Sequence, residues 1–109
     1  MYEYRAYVCK VYDGDTVTAD IDLGFGVILR KQKLRLAGIN APKVRGESRP
    51  MGLISRDHLR MKIGNKQVII RTTKDKQSKY GMWLADIILD GNSINDWLLA
   101  EGLAETYTK

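Results

Sequence analysis

Three short runs carry side chains able to act on a charged, ring-bearing ligand. Asp13-Gly14-Asp15-Thr16 sets two carboxylates around a glycine. Arg35 precedes Asn40-Ala41-Pro42-Lys43, and Lys43, Arg45 and Arg49 make residues 40–50 a basic loop. Lys79-Tyr80-Gly81-Met82 puts an aromatic ring beside an ammonium, a pair suited to stacking on a base while the charge meets a phosphate. Each run also has a plainer reading. Asp-Gly is a strong turn signal. Arg35 shares a polar face with Lys31 and Lys33, a pattern that guards a strand edge against aggregation. A basic loop is ordinary surface chemistry. His58 has no second His or Cys nearby and reads as a surface or packing residue, and Cys9 reads as a small strand residue.

In order, Asp13-Gly14-Asp15-Thr16, then Arg35-Leu36-Ala37-Gly38-Ile39-Asn40-Ala41-Pro42, then Lys79-Tyr80-Gly81 followed by Leu84-Ala85 resemble the staphylococcal-type thermonuclease family, calcium-dependent phosphodiesterases built on a small β-barrel. The three runs together carry the resemblance, which spans about Tyr7 to Ala104. It implies that Asp15, Asn40 and the backbone carbonyl of Ala41 are the calcium ligands. It further implies that Arg35 faces phosphate and that Lys79 and Tyr80 contact the nucleotide.

The resemblance also exposes two departures. The family places Glu directly after the proline, where it orients or deprotonates the attacking water, and this chain has Lys43. The family places a phosphate-clamping Arg after Lys-Tyr-Gly, and this chain has Met82. An ammonium cannot accept the proton and repels calcium at short range. Asn40 keeps a carbonyl oxygen but not the negative charge. Losing a general base removes about 10²–10⁴ in rate, and losing one electrostatic stabiliser roughly 10²–10³. If independent, the two raise the barrier by about 5–10 kcal/mol. The expected partner is thus DNA or RNA, single strands ahead of duplex: the resemblance implies that Lys79 and Tyr80 contact it, and the basic loop adds Lys43 and Arg45. Calcium is expected to bind weakly or not at all, and hydrolysis to be absent or strongly impaired. One alternative is a working calcium-dependent nuclease that recruits another acid such as Glu47. Another is a protein-interaction module on the same barrel.

These residues need elements to hold them. Residues 4–12 read as a strand and Asp13-Gly14-Asp15 as the turn out of it. Val17, Ala19, Ile21 and Leu23 alternate with Thr18, Asp20 and Asp22, the period of a half-buried strand. After Gly24-Phe25-Gly26, Val27 and Leu29 have one parity and Leu34 and Leu36 the other, which predicts a bulge or bend. Pro50 opens a helix through Leu53, Leu59 and Ile63 to Gly64. Val68–Thr72 and Trp83–Leu89 read as strands, with Trp83 and Trp97 in the core. Ser93 caps a short helix that ends at Gly102, with Asp96 as the reciprocal acid.

The order allows several α+β arrangements. The resemblance selects a mainly β, five-stranded Greek-key barrel of the OB type with two or three short helices, one domain over residues 1–109. Eighteen basic against thirteen acidic residues give a net charge of +5, which favours a polyanionic partner. The polar start of the chain predicts neither signal peptide nor membrane anchor. A cytoplasmic or phage-encoded protein is expected, and the single Cys9 suits a reducing compartment.

Overall fold

A computed structural model of the chain describes residues 2–72 and 81–107. Alternation becomes a strand where one face can be buried. In β2 (Thr16–Gly24), Val17, Ala19 and Ile21 are buried while Thr18 and Asp20 stay partly exposed. β2 pairs antiparallel with β1 (Tyr2–Asp13) on one side and with β3 (Val27–Leu36) on the other. The lower half of β3 then pairs in parallel with β6 (Trp83–Leu89), and β6 pairs with β5 (Gln67–Thr72). β5 returns to β1, so five strands close into a barrel with OB-type connectivity. Closure leaves one interior, filled by Val8, Val11, Val17, Leu34, Leu36, Ile70 and Ile87.

The predicted change of phase in β3 is a bulge. Arg30 and Lys31 together oppose Asp20, and Lys31 takes a left-handed φ of 55°. Asp20 pins the distortion: its carboxylate accepts from the Lys31 backbone N–H at 2.9 Å and from Arg30 at 3.2 Å. The Lys31 hydrogen bond holds the Asp20 carboxyl below its ordinary pKa range. β1 carries two further shifts, at Cys9 and at Tyr12, of the kind that bend a strand around a small barrel. Beyond Ile21 the β2–β3 hairpin leaves the core, so Leu23, Phe25, Val27, Ile28 and Leu29 are all exposed.

Two helices close the barrel. α1 (Arg49–Ile63) packs on β1 through Leu59 and Ile63, and a 3₁₀ turn at Gly46–Ser48 leads into it. Pro50 lies in the first turn, as the sequence reading expects. α2 (Ile94–Ala100) buries Ile94 and Leu98, and Ser93 caps it by accepting from the Asp96 N–H at 3.2 Å. Buried Asn95 in α2 donates to the carbonyls of Ala37 (2.9 Å) and Ala85 (3.2 Å) and accepts from Ile87 N–H (3.1 Å). That one amide therefore fixes the turn after β3 against the helix and the barrel wall.

Trp83 and Trp97 lie at the margin of the core, half-buried. Each has a polar contact there: Trp83 donates to Gln32 at 3.0 Å, and the Lys62 ammonium lies 5.0 Å from the Trp97 ring centre. Short pairings at β4 (Ile39–Asn40) with β8 (Glu105–Thr106), and at β7 (Asn92–Ser93) with β6, complete the sheets. Among the described residues no helix is long and apolar enough to cross a membrane.

Candidate functional site

The site is built where the end of β1, the start of β2, the end of β3 and the segment entering α1 converge. Gly14 is there because space demands it. A methyl at its position would lie 2.7 Å from the Ala41 Cβ and 2.9 Å from the Ser55 Cβ. The Asp13-Gly14-Asp15 run is therefore a close-packed crossing as well as a turn. Asp15 is fully buried, and its backbone carbonyl accepts from Leu36 N–H at 2.9 Å. Its Oδ2 accepts from Ala41 N–H at 2.9 Å and lies 3.3 Å from the Arg35 guanidinium, while Oδ1 accepts from the Thr16 hydroxyl at 3.2 Å.

Arg35 is equally committed. It donates to the carbonyls of Leu36 (3.0 Å) and Ile39 (2.9 Å) and to the Asn40 side-chain oxygen (3.3 Å). Its side chain is only 16% exposed, and its outer side lies 5.8 Å from the ring centre of Tyr107. Tyr107 comes to this place because β8 pairs with β4 and the Tyr107 N–H bonds the Gly38 carbonyl at 2.9 Å. The structure thus gathers Asp15, Arg35, Asn40 and Ala41 into one corner in which both Asp15 oxygens and the Asn40 oxygen already have donors. Among the described residues there is no group of three or more His, Cys, Asp or Glu side chains placed to share a metal ion.

Asp13 lies beside that corner, with Oδ1 accepting from Asp15 N–H at 3.1 Å. Burial pushes its carboxyl up from 3.8 to about 6, and the hydrogen bond and charge of Asp15 push the same way. The Asp15 N–H and the Lys43 ammonium oppose them.

Outside the corner opens a cleft of about 390 Å³ lined by Lys10, Tyr12, Asp13, Thr16, Thr18, Lys33, Lys43, Val44, Arg45 and Met82. Four of these are cations and one is an acid. None of the four forms an ion pair among the described residues. The loop that carries Lys43 is braced from behind. Ser48 Oγ donates to the carbonyls of Lys43 (3.0 Å) and Arg45 (3.2 Å), and Arg49 donates to the Val44 carbonyl at 2.8 Å. Gly52 of α1 lies so close beneath that any Cβ would run into the Lys43 carbonyl.

The sequence reading named Lys43, Arg45 and Met82 for this region, and the fold brings all three to one cleft. It had no means of naming Lys10, Tyr12, Thr18 or Lys33, which arrive only through strand register. Tyr107 likewise carries no motif. Glu47 is exposed in the 3₁₀ turn and does not line the cleft; Arg49 turns toward its own loop. Lys79 and Tyr80 lie outside the described residues. His58 sits at the surface, with Nδ1 2.9 Å from the Ile54 carbonyl.

Comparison with known proteins adds one finding. A family model described as staphylococcal nuclease homologue matches residues 33–109, 77 of the 109 residues. The match takes in Arg35, the Asn40–Lys43 run and Met82, while the Asp13–Asp15 run lies ahead of it. None of the curated proteins compared with the chain matches it.

Proposed function

Since the chain belongs to the staphylococcal nuclease homologue family, we propose that it binds nucleic acid and that its phosphodiester hydrolysis is absent or strongly impaired. The observation that carries this reading is the cleft wall. Where the family's water-activating carboxylate is expected, Lys43 stands beside Lys10, Lys33 and Arg45, and Met82 replaces the expected arginine. Four cations around a concave surface suit phosphate oxygens. None of them can take a proton from water at neutral pH.

Calcium binds weakly or not at all on this reading. A calcium ion needs six to eight oxygens. The corner offers one carboxylate, and the Arg35 guanidinium lies against it. Lys43 instead supplies fixed positive charge that holds a phosphate without cutting it. Lys79 and Tyr80 are the further contacts that the family resemblance assigns. The protein-interaction reading draws on a different observation, the exposed apolar β2–β3 hairpin, and it prevails if the protein binds no nucleic acid at low salt.

The test is cleavage of single-stranded DNA and RNA with calcium and with chelator. The wild-type chain is expected to be silent in both. The Lys43→Glu/Met82→Arg variant is expected to regain calcium-dependent cleavage, up to about 10⁴–10⁷-fold if the supporting residues persist. Calcium-dependent cleavage by the unaltered chain would overturn the proposal.

A further inference from the structure

The cleft does not end at the positions the family motifs mark. In the strand register Lys10 of β1 pairs with Thr18 of β2, and Thr18 pairs with Lys33 of β3. The three side chains form one row across the outer face of the barrel, and all three line the cleft with Lys43 and Arg45. Adjacent strands lie about 4.8 Å apart, so Lys10 and Lys33 stand on backbones separated by roughly 10 Å, with the Thr18 hydroxyl between them. Tyr12 occupies the second register shift of β1, and the residue, 54% exposed, lines the cleft. One row further along, Tyr7 pairs with Asp20, and next Arg5 pairs with Asp22. Carboxylates enter at these rows, and each faces a cation: Arg30 pairs with Asp20, and Arg5 stands across from Asp22.

From this charge pattern, and resting on the nucleic-acid-binding reading above, we infer that a single strand of nucleic acid runs from Lys43 and Arg45 across the outer face of β1–β2–β3. Lys10 and Lys33 engage its phosphates and Tyr12 stacks on a base. A duplex keeps its bases paired and cannot offer one to Tyr12; an unpaired strand can bend into the concavity and stack there. The footprint follows the row from Lys43 and Arg45 to Lys10 and Lys33, within the about 4–16 nucleotides that OB barrels cover.

The experiment is fluorescence anisotropy with labelled oligo(dT) and with a duplex of equal length, over a salt series, for the full chain and four variants. Single strands are expected to bind more tightly than duplex. Tyr12→Ala should weaken single-strand binding by about 5–100-fold with little change in salt slope, and Tyr12→Phe should restore it. Lys10→Ala/Lys33→Ala should lower the salt slope by roughly 0.7 per lost phosphate contact. Lys43→Ala serves as the reference for the parent reading. These side chains are surface groups, and a thermal melt of each variant confirms that the fold is kept. If Lys43→Ala weakens binding while Lys10→Ala/Lys33→Ala and Tyr12→Ala do not, the strand takes another path and the parent reading stands. Equal affinity for duplex overturns the stacking role. If the unaltered chain binds neither form at low salt, both inferences fall.

Discussion

The buried corner and the open cleft lie side by side and use charge in opposite ways. In the corner, Asp15 and Arg35 neutralise each other and spend their remaining hydrogen bonds on Thr16, Leu36, Ile39, Asn40 and Ala41. In the cleft, Lys10, Lys33, Lys43 and Arg45 have no ion-pair partner among the described residues. A charge with every bond satisfied inside the protein is a structural fastening. A charge left at the rim is available to a ligand. The contrast separates charges that hold the barrel from charges left open at its surface.

Substitutions on either side should separate the two classes. The largest effect is expected for Arg35→Met. It strands the Asp15 carboxylate without a counter-charge and should cost about 3–5 kcal/mol in urea unfolding. A near-neutral result would mean that Asp15 is not sealed and would dissolve the distinction. Gly52→Ala comes next. Its methyl must displace the Lys43 carbonyl, and overpacking of that kind costs roughly 1–3 kcal/mol.

Asp13 lies between corner and cleft, and its signature is a pH dependence. Its folded pKa, about 6, is above the ordinary 3.8. The stability it contributes is therefore full below about pH 4 and is lost as pH rises through 6. Melting temperatures measured from pH 4 to 7 should fall for the wild type by the equivalent of about 1–2 kcal/mol. Asp13→Asn, which keeps an acceptor for the Asp15 N–H, should reduce that slope, leaving the part due to Asp86, whose carboxyl pKa is also raised by burial. Smallest in stability is Lys43→Ala, expected within about 0.5 kcal/mol of wild type. The same change should weaken oligonucleotide binding at low salt, the reverse of what a fastening residue would show.

Much of the barrel is legible in the sequence. The alternation of β2 and the parity change in β3 needed only the two-residue period of a strand. What pins that bend, Asp20 on the Lys31 N–H, was not legible, because it depends on which residue faces which across the hairpin. The same limit applied to the site. Arg35, Asn40 and Lys43 stood in a recognisable run, whereas Lys10, Thr18 and Lys33 lie far apart in sequence and become neighbours only through register. Asn95 carries no local signal of its role, yet its buried amide joins three backbone groups. Motif reading finds residues that are local in sequence; cross-strand sets have no local mark.

The bracing of the Lys43 loop has a consequence for descent. Ser48, Arg49 and Gly52 hold that loop entirely through backbone carbonyls at 43, 44 and 45. Nothing in the brace depends on which side chain position 43 carries. The brace itself is indifferent to that side chain, and the charge at 43 is felt instead by the neighbouring Asp13 carboxyl. In the genetic code, glutamate to lysine and arginine to methionine are each reachable by changing one letter. The charge at position 43 can therefore reverse by a single letter while the brace around it stays still.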